Sequence, residues 1–327
     1  MRNEVRYMRT DGRRRIKERR RRRSVILLFG FIIFAALVMI ASHIKSIYAQ
    51  LVDMQNTLKR IEVLQHGIGV YNGSGHEETD YVSSISTENV GKPIQRTSME
   101  IMQKISELGQ ENPVINDIYN NYSLYPENWL AALANNPEMA GFVAGYLDGD
   151  KNSAEKLTNL EKEQEIPLFL QWDPRWGYES YGDSCIGLAG CGPTCMSMVL
   201  FYLTGDENLT PGRIAAYSME NDYYVEGTGT AWALMKDMPK LYGINVTNPK
   251  VTEKSIKNVL DNDGIIICAM GEGDFTLSGH FIVIYGYGIS GFMVNDPNCV
   301  ARSSRRWTFD ELEPQIKNIW AYEKGGK

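Results

Sequence analysis

The sequence is poor in the residues that build metal centres and disulfide frameworks. It has four histidines and five cysteines among 327 residues. Cys191 and Cys195 are separated by three residues, but no histidine lies at zinc-ligand spacing from them. With 43% hydrophobic and 10% aromatic residues, the composition excludes a disordered, collagen-like or disulfide-dense chain. We therefore expect a globular protein of about two domains, without a metal ion or a cofactor.

Clustered positive charge is also missing from most of the chain. The net charge is −6, yet residues 1–24 hold twelve Lys or Arg against three acidic residues. Since that end contributes +9, the other 303 residues carry −15. Because phosphate binding needs clustered cations, nucleic acid is not an expected partner.

The chain has one long hydrophobic run, and it directly follows the basic end. Residues 25–44 (VILLFGFIIFAALVMIASHI) contain no acidic residue, Lys or Arg, and about 20 apolar residues span the hydrocarbon core of a membrane. We predict a transmembrane helix there, in contact with lipid. The positive-inside rule places residues 1–24 in the cytoplasm and everything after Lys45 outside. A cleaved signal peptide is the alternative, but the run is long, and Ile47 stands where the peptidase that would cut after Ala49 needs a small residue.

Apolar residues continue with helical spacing after the predicted span. They recur at alternating intervals of four and three residues, at Ile47, Leu51, Met54, Leu58 and Ile61. This pattern predicts a short juxtamembrane helix over residues 45–65. Weak self-association as a coiled coil through residues 47–61 is the alternative, although barely two heptads are present.

The rest of the chain divides by composition into three parts. Residues 66–95 are rich in Gly, Ser, Asn and Thr and lack periodic apolar positions, so we predict a flexible stalk. Residues 96–160 have helical periodicity and predict a few short helices. This helical region is either a spacer that packs on the next domain or an inhibitory or docking prosegment. Residues 161–327 are denser in apolar segments and predict a strand-containing domain.

A cysteine in this last domain stands where a nucleophile is expected. Residues 190–195 (GCGPTC) lead into an apolar stretch that stops at Gly205. Pro193 suits a first helical turn and Gly205 a left-handed cap, so we place Cys191 at a helix N-terminus. The free N–H groups and the helix dipole there favour the thiolate over the thiol. Gly190 and Gly192 leave room for a substrate carbonyl beside the sulfur.

A thiol nucleophile needs a base, and His280 is the one histidine in this domain. It opens an apolar segment that reaches a Gly-Ile-Ser-Gly turn and returns as residues 292–296 (FMVND). A hairpin of this kind brings Asp296 beside His280, where a carboxylate orients the imidazole. Two alternatives stay open: His280 is a buried structural histidine, or Asp274, six residues before it, takes the third position.

Several motifs of this domain occur together in a known family. They are IP at 166–167, QWDPRWG at 171–177, GCGPT at 190–194, GTGT at 227–230, GDF at 273–275, GHF at 279–281 and NDP at 295–297. Their order resembles that in the papain-like cysteine peptidases that remove double-glycine leaders from bacteriocins, family thirty-nine of the cysteine peptidases, and specifically in their stand-alone relatives. The resemblance implies an α+β fold, with the helix bearing the Cys packed on an antiparallel sheet bearing the His and the Asp.

The resemblance also implies functional roles. Cys191 is the nucleophile, His280 the base, Asp296 its orienting partner and Gln171 the side-chain donor of the oxyanion hole. Further residues are expected to bind a peptide or protein substrate, namely Trp172, Gly190, Gly192, Trp232, Asp274 and Gly279. The leader peptidases work in the cytoplasm with a membrane ATPase, whereas this sequence has no ATPase motif and its domain is expected outside.

Three functions remain open from the sequence. The first is a membrane-anchored cysteine peptidase, and the second is a cell-wall amidase or acyltransferase on the same fold, because water or an amine can resolve a thioester. The third is an inactive binding protein. The other four cysteines allow up to two disulfides, although Cys195 and Cys268 stand in apolar segments typical of buried thiols.

Overall fold

The computed structural model describes residues 38–40, 43–45, 47, 51, 90–148 and 155–324. The chain divides into two units, Met1–Gln55 and Asn56–Lys327, and the described residues of the first unit are helical. Every helix in the described ranges is too short or too polar to span a bilayer. The polybasic segment, most of the expected span and juxtamembrane helix, and residues 66–89 of the stalk lie outside the described residues.

Residues 96–148 of the region expected to be helical contain four short α-helices and three 3₁₀ turns. The α-helices are α1 (Ser98–Gly109), α2 (Pro113–Asn120), α3 (Glu127–Asn135) and α4 (Ala140–Ala144). The 3₁₀ turns are Tyr122–Leu124, Pro137–Met139 and Gly145–Leu147. Polar caps set their starts: Thr97 and Glu100 form a capping box on α1, and Asn136 accepts a hydrogen bond from the backbone N–H of Glu138.

The following domain has eight helices and ten strands within residues 155–324. The α-helices are α5 (Asn159–Lys162), α6 (Ile186–Ala189), α7 (Cys191–Thr204), α8 (Pro211–Glu220), α9 (Leu234–Asp237), α10 (Glu253–Leu260), α11 (Val300–Ser304) and α12 (Phe309–Leu312). Two 3₁₀ turns, Pro239–Tyr242 and Glu313–Gln315, also occur. The strands are β1 (Ser180–Tyr181), β2 (Ser184–Cys185), β3 (Tyr224–Val225), β4 (Gly229–Thr230), β5 (Ile244–Thr247), β6 (Ile265–Met270), β7 (His280–Gly288), β8 (Gly291–Asn295), β9 (Arg306–Trp307) and β10 (Ile316–Lys324).

Six of these strands form an antiparallel sheet in the order β5-β10-β6-β7-β8-β9. The sheet is covered on both faces, because every residue of the central strand β6 is buried. Ile265 and Ile267 pack with α7 on one face, whereas Ile266 and Cys268 pack with α10 on the other. The expected α+β fold, with the cysteine-bearing helix against an antiparallel sheet, is confirmed.

The helical region packs directly on this domain through aromatic rings. Phe142 of α4 stacks between Trp129 of α3 and Tyr178 of the domain, with ring centroids 4.8 and 4.7 Å apart. The Tyr178 hydroxyl donates a hydrogen bond to the Phe142 carbonyl at 2.8 Å. Phe142 also lies so close to Gly187 that a Cβ there would overlap its ring. This region is therefore part of one packed body with the domain.

A buried ion network holds the loop that carries Gln171. The Arg175 guanidinium donates to Asp173 and to Glu161 of α5, with 2.6 Å ion pairs to both, and all three side chains are buried. Charges buried in this way need mutual pairing, because each one alone would lose its hydration. The network explains why an Arg and an Asp stand two residues apart in this otherwise apolar, aromatic motif.

No disulfide forms among the five cysteines, all of which lie in the described part of the chain. The sequence left up to two bridges open, and the structure forms neither. Cys195 and Cys268 are fully buried small side chains in the two apolar layers of the sheet, and burial raises the pKa of both thiols. Cys191 differs from the other four because it is half-buried.

Candidate active site

The site begins at Cys191, the first residue of α7. Gly190 caps this helix at its start, and Gly205, with a φ of 72°, ends it in the left-handed conformation. The backbone N–H groups of the first turn have no partner within the helix, so the positive end of the helix dipole lies beside the Cys191 side chain. Gly192 allows the close approach of Thr230, because a Cβ there would lie 2.6 Å from the threonine hydroxyl.

His280 lies beside this sulfur and is held by Asp296. The hairpin of β7 and β8 places His280 at the start of one strand and Asp296 just after the end of the other. The imidazole Nε2 and the Asp296 Oδ1 are 2.7 Å apart, and both side chains are buried. His280 and Cys191 line the same cleft, and because Nε2 is engaged by Asp296, Nδ1 is the imidazole nitrogen left for another partner.

Three groups besides His280 hold the Asp296 residue in place. Arg302 donates from Nε to Oδ2 at 2.6 Å, and the backbone N–H of Asn298 donates to Oδ1 at 2.8 Å. The backbone N–H of Asp296 donates to the Ser303 hydroxyl at 2.8 Å. The carboxylate is therefore both oriented and charge-compensated, although it is fully buried.

These contacts shift the protonation of the pair in opposite directions. Burial opposes the imidazolium, but the Asp296 charge and hydrogen bond, with a smaller contribution from Cys191, outweigh it and raise the pKa of His280 to about 9. Burial also opposes the carboxylate, but Arg302 and His280 together lower the pKa of Asp296 to about 2. An imidazolium and a carboxylate are thus the favoured forms at neutral pH.

Gln171 is held by two backbone carbonyl groups. Its backbone N–H donates to the Pro297 carbonyl at 2.7 Å, and its side-chain Nε2 donates to the Gly187 carbonyl at 2.9 Å. An amide nitrogen carries two hydrogens, so this bond fixes the side chain and leaves the second hydrogen for another acceptor. Gln171 and Cys191 line the same cleft.

The cleft has a volume of about 520 Å³ and is built from two regions of the chain. From the domain come His280 and two loops at residues 227–229 and 275–279, which include Gly279, a predicted substrate-binding residue. Pro93 supplies a further part of the lining together with residues of the helical region, namely Asn128, Ala131, Ala132, Asn135 and Met139. Substrate in this cleft would therefore contact residues outside the peptidase-like domain.

The residues that line the cleft do not include the other predicted substrate-binding residues. Trp172 is buried in the core and donates from Nε1 to the Asn298 carbonyl at 2.9 Å. Trp232 is half-exposed and packs edge-on against Trp320 rather than lining the cleft.

Asp274 is held by Gln315, which donates to its carboxylate at 2.6 Å. Gly190 and Gly192 serve close packing around α7, since a Cβ at either would meet a neighbour at about 2.6 Å or less.

Two features of the site had no clear sequence signal. Arg302 follows Asp296 by six residues in a segment with several arginines, and nothing local distinguishes it as the buried one. The lining from the helical region comes from residues that helical periodicity marks only as a packed face. Among the described residues, no group of His, Cys, Asp or Glu is arranged to hold a metal ion.

Comparison with known proteins gives the family. The model of the Peptidase_C39 like family matches residues 163–327, so the chain belongs to this family. No curated protein matches the chain. Among solved structures, the peptidase domain of Streptococcus ComA, described as a bifunctional ABC transporter involved in a quorum-sensing pathway, matches with 17% identity and a TM-score of 0.32. That match covers 41% of this chain and 89% of the other.

The raised pKa of His280 predicts a measurable titration. The imidazolium should persist up to about pH 9, whereas histidine in an unfolded chain loses its proton near pH 6.5. Its contribution to the free energy of unfolding is therefore complete below about pH 6.5 and is lost as the pH rises through about 9. NMR titration of the imidazole, assigned with His280→Gln, measures the midpoint.

Substitution of two aspartates, one at a time, identifies the carboxylate that sets the midpoint of the His280 titration. Asp296→Asn should shift it to lower pH, because the carboxylate charge that favours the imidazolium is removed. Asp274→Asn is the matched control and should leave it unchanged. A downward shift in Asp274→Asn, with none in Asp296→Asn, would contradict the geometry.

Proposed function

We propose that this protein is a cysteine peptidase that hydrolyses peptide bonds through acylation of Cys191. The observation that carries the proposal is that the half-buried Cys191 and His280 line one cleft and that His280 hydrogen-bonds to the buried Asp296. Membership of the Peptidase_C39 like family supports a peptide or protein as the substrate. Because the nucleophile, the acid and the orienting carboxylate lie in one contiguous chain, one protomer is sufficient for the reaction.

The chemistry follows from these positions. The Cys191 thiolate attacks the peptide carbonyl carbon, a C–S bond forms, and the carbonyl π electrons move to the oxygen. The His280 imidazolium then gives its proton to the departing amine nitrogen as the C–N bond breaks and a thioester remains. Neutral His280 next takes a proton from a water molecule that attacks the thioester. The C–S bond breaks, and the new acid and the thiolate–imidazolium pair result.

Negative charge on the carbonyl oxygen needs hydrogen-bond donors. The second Nε2 hydrogen of Gln171 is one donor, and the backbone N–H of Cys191 at the start of α7 is the other. The Gly187 carbonyl fixes the Gln171 amide in advance, so no reorganisation is needed when the charge develops. Loss of one such donor costs about 3 kcal/mol of transition-state stabilisation.

Variants of the site test these roles. Cys191→Ala and His280→Ala should each abolish peptide hydrolysis, and Asp296→Asn should reduce it less, because Asp296 orients the imidazole without exchanging the proton. Gln171→Ala should lower kcat about 100-fold while leaving iodoacetamide labelling of Cys191 intact. Peptide-library hydrolysis and thiol labelling measure both quantities.

Cys195→Ala is the matched control for the nucleophile. Cys195 lies one helical turn further along α7 and is fully buried, so its loss should preserve hydrolysis. If Cys195→Ala abolished turnover, or if His280→Ala left it unchanged, the assignment of the nucleophile and base would be wrong.

We also propose that the peptidase is anchored in the cell membrane through residues 25–44, with its N-terminus in the cytoplasm and the catalytic domain outside. The apolar run and the arginines before it support this topology. The basic end must then stay with the cytoplasmic lipid surface, where anionic headgroups attract it.

Protease added to intact cells tests this topology. It should digest the catalytic domain and spare the arginine-rich end, as followed with tags at both termini. Full protection of the domain in intact cells, together with its digestion after lysis, would contradict the orientation.

A further inference from the structure

We propose that Glu138, which lies in the helical region and outside the family domain, is a positioning residue for Asp296. It acts through residues 298–302, the segment that holds the Asp296 carboxylate. The inference rests on the proposed function in one respect, since peptide hydrolysis is one of its two readouts. Under this proposal, the helical region is neither a spacer nor a prosegment but a permanent part of the active site.

The first step is the contact between Glu138 and α11. Glu138 is buried, and its two carboxylate oxygens accept hydrogen bonds from the backbone N–H groups of Val300 at 2.7 Å and Ala301 at 2.9 Å. Two residues earlier, the Asn136 side chain donates to the Asn298 carbonyl. The helical region therefore holds both the start of α11 and the loop that leads into it.

The second step is the contact between this segment and Asp296. The described hydrogen-bond partners of Asp296, apart from His280, all lie in residues 298–303. Arg302 and the backbone N–H of Asn298 bind the carboxylate, and the Ser303 hydroxyl accepts from the backbone N–H of Asp296. The support of the catalytic carboxylate thus comes from the segment that Glu138 and Asn136 hold.

Charge couples the same groups. Arg302 is buried with Asp296 on one side, and its Nη1 has no hydrogen-bond partner in the described part of the chain. Glu138 lies close enough to Arg302 to interact with it electrostatically. Burial raises the pKa of Glu138, while its two N–H donors and Arg302 favour the charged form. Loss of Glu138 would leave the backbone N–H groups of Val300 and Ala301 without these acceptors.

A spacer would need none of these contacts, because stacking of Phe142 on Tyr178 already attaches the helical region to the domain. The carboxylate instead reaches the one helix whose arginine supports the catalytic acid. Small misplacement of a catalytic group can reduce the rate about 100-fold. We therefore expect the loss of Glu138 to reduce kcat with little change in KM.

A double-mutant cycle between Glu138 and Asp296 in the full-length chain tests the proposal. Glu138→Ala should lower kcat for peptide hydrolysis at least 10-fold, and Glu138→Gln, which keeps one acceptor oxygen but no charge, should lower it less. In the Asp296→Asn background, Glu138→Ala should change kcat less than 2-fold, because the group it positions is already lost. Glu111→Ala, an exposed carboxylate of the same region, is the matched control and should have no effect.

The rate of iodoacetamide labelling of Cys191 gives the second readout, since it requires the thiolate–imidazolium pair but no peptide. The same coupling should appear there. Equal losses from Glu138→Ala in both backgrounds would show a merely structural role and overturn the proposal. If Glu138→Ala fails to fold, Glu138→Gln completes the cycle with the same criteria. Coupling in the labelling rate without any peptide hydrolysis by the wild type would overturn the proposed function and leave the positioning role standing.

Discussion

The hydrogen bond between His280 and the buried carboxylate of Asp296 is the contact on which the site depends. A charged group without water is costly unless it is paired, so the chain surrounds Asp296 with Arg302, a backbone N–H and the imidazole. The site therefore depends on the sheet register, because β7 and β8 must pair antiparallel for His280 and Asp296 to meet. Cys191 completes the arrangement from a separate element, the N-terminus of α7, which packs on the same sheet.

Local signals in the sequence were sufficient for these elements. Pro193 and Gly205 mark the two ends of α7, and the Gly-Ile-Ser-Gly turn sets the hairpin that joins His280 to Asp296. Contacts between residues far apart in the sequence could not be predicted in this way. Trp172 was expected to bind substrate, but its side chain is buried in the core. Aromatic side chains occur both in clefts and in cores, so the residue type alone does not distinguish the two. Asp274 is engaged by Gln315, 41 residues away, and Glu138 meets α11 across about 160 residues; periodicity and spacing contain no information on such pairs.

The helical region changes how the family domain of this chain is understood. Residues 163–327 match the family model and contain Cys191, His280, Asp296 and Gln171. The cleft that surrounds them is lined also by α3 and its neighbours, and the loop behind Asp296 is held by Asn136 and Glu138. Residues that precede the domain therefore form part of this cleft and hold the loop behind Asp296.

Acylation of Cys191 is the event that every role assigned to the site requires, and mass spectrometry observes it directly. The protein is mixed with a peptide ester that it hydrolyses, quenched in acid within the first turnover, and measured intact and after digestion. A mass gain equal to the acyl part of the substrate, on the peptide that contains Cys191 and absent from Cys191→Ala, is the predicted result. Continued hydrolysis with no adduct on Cys191, or with the adduct on another cysteine, would contradict it.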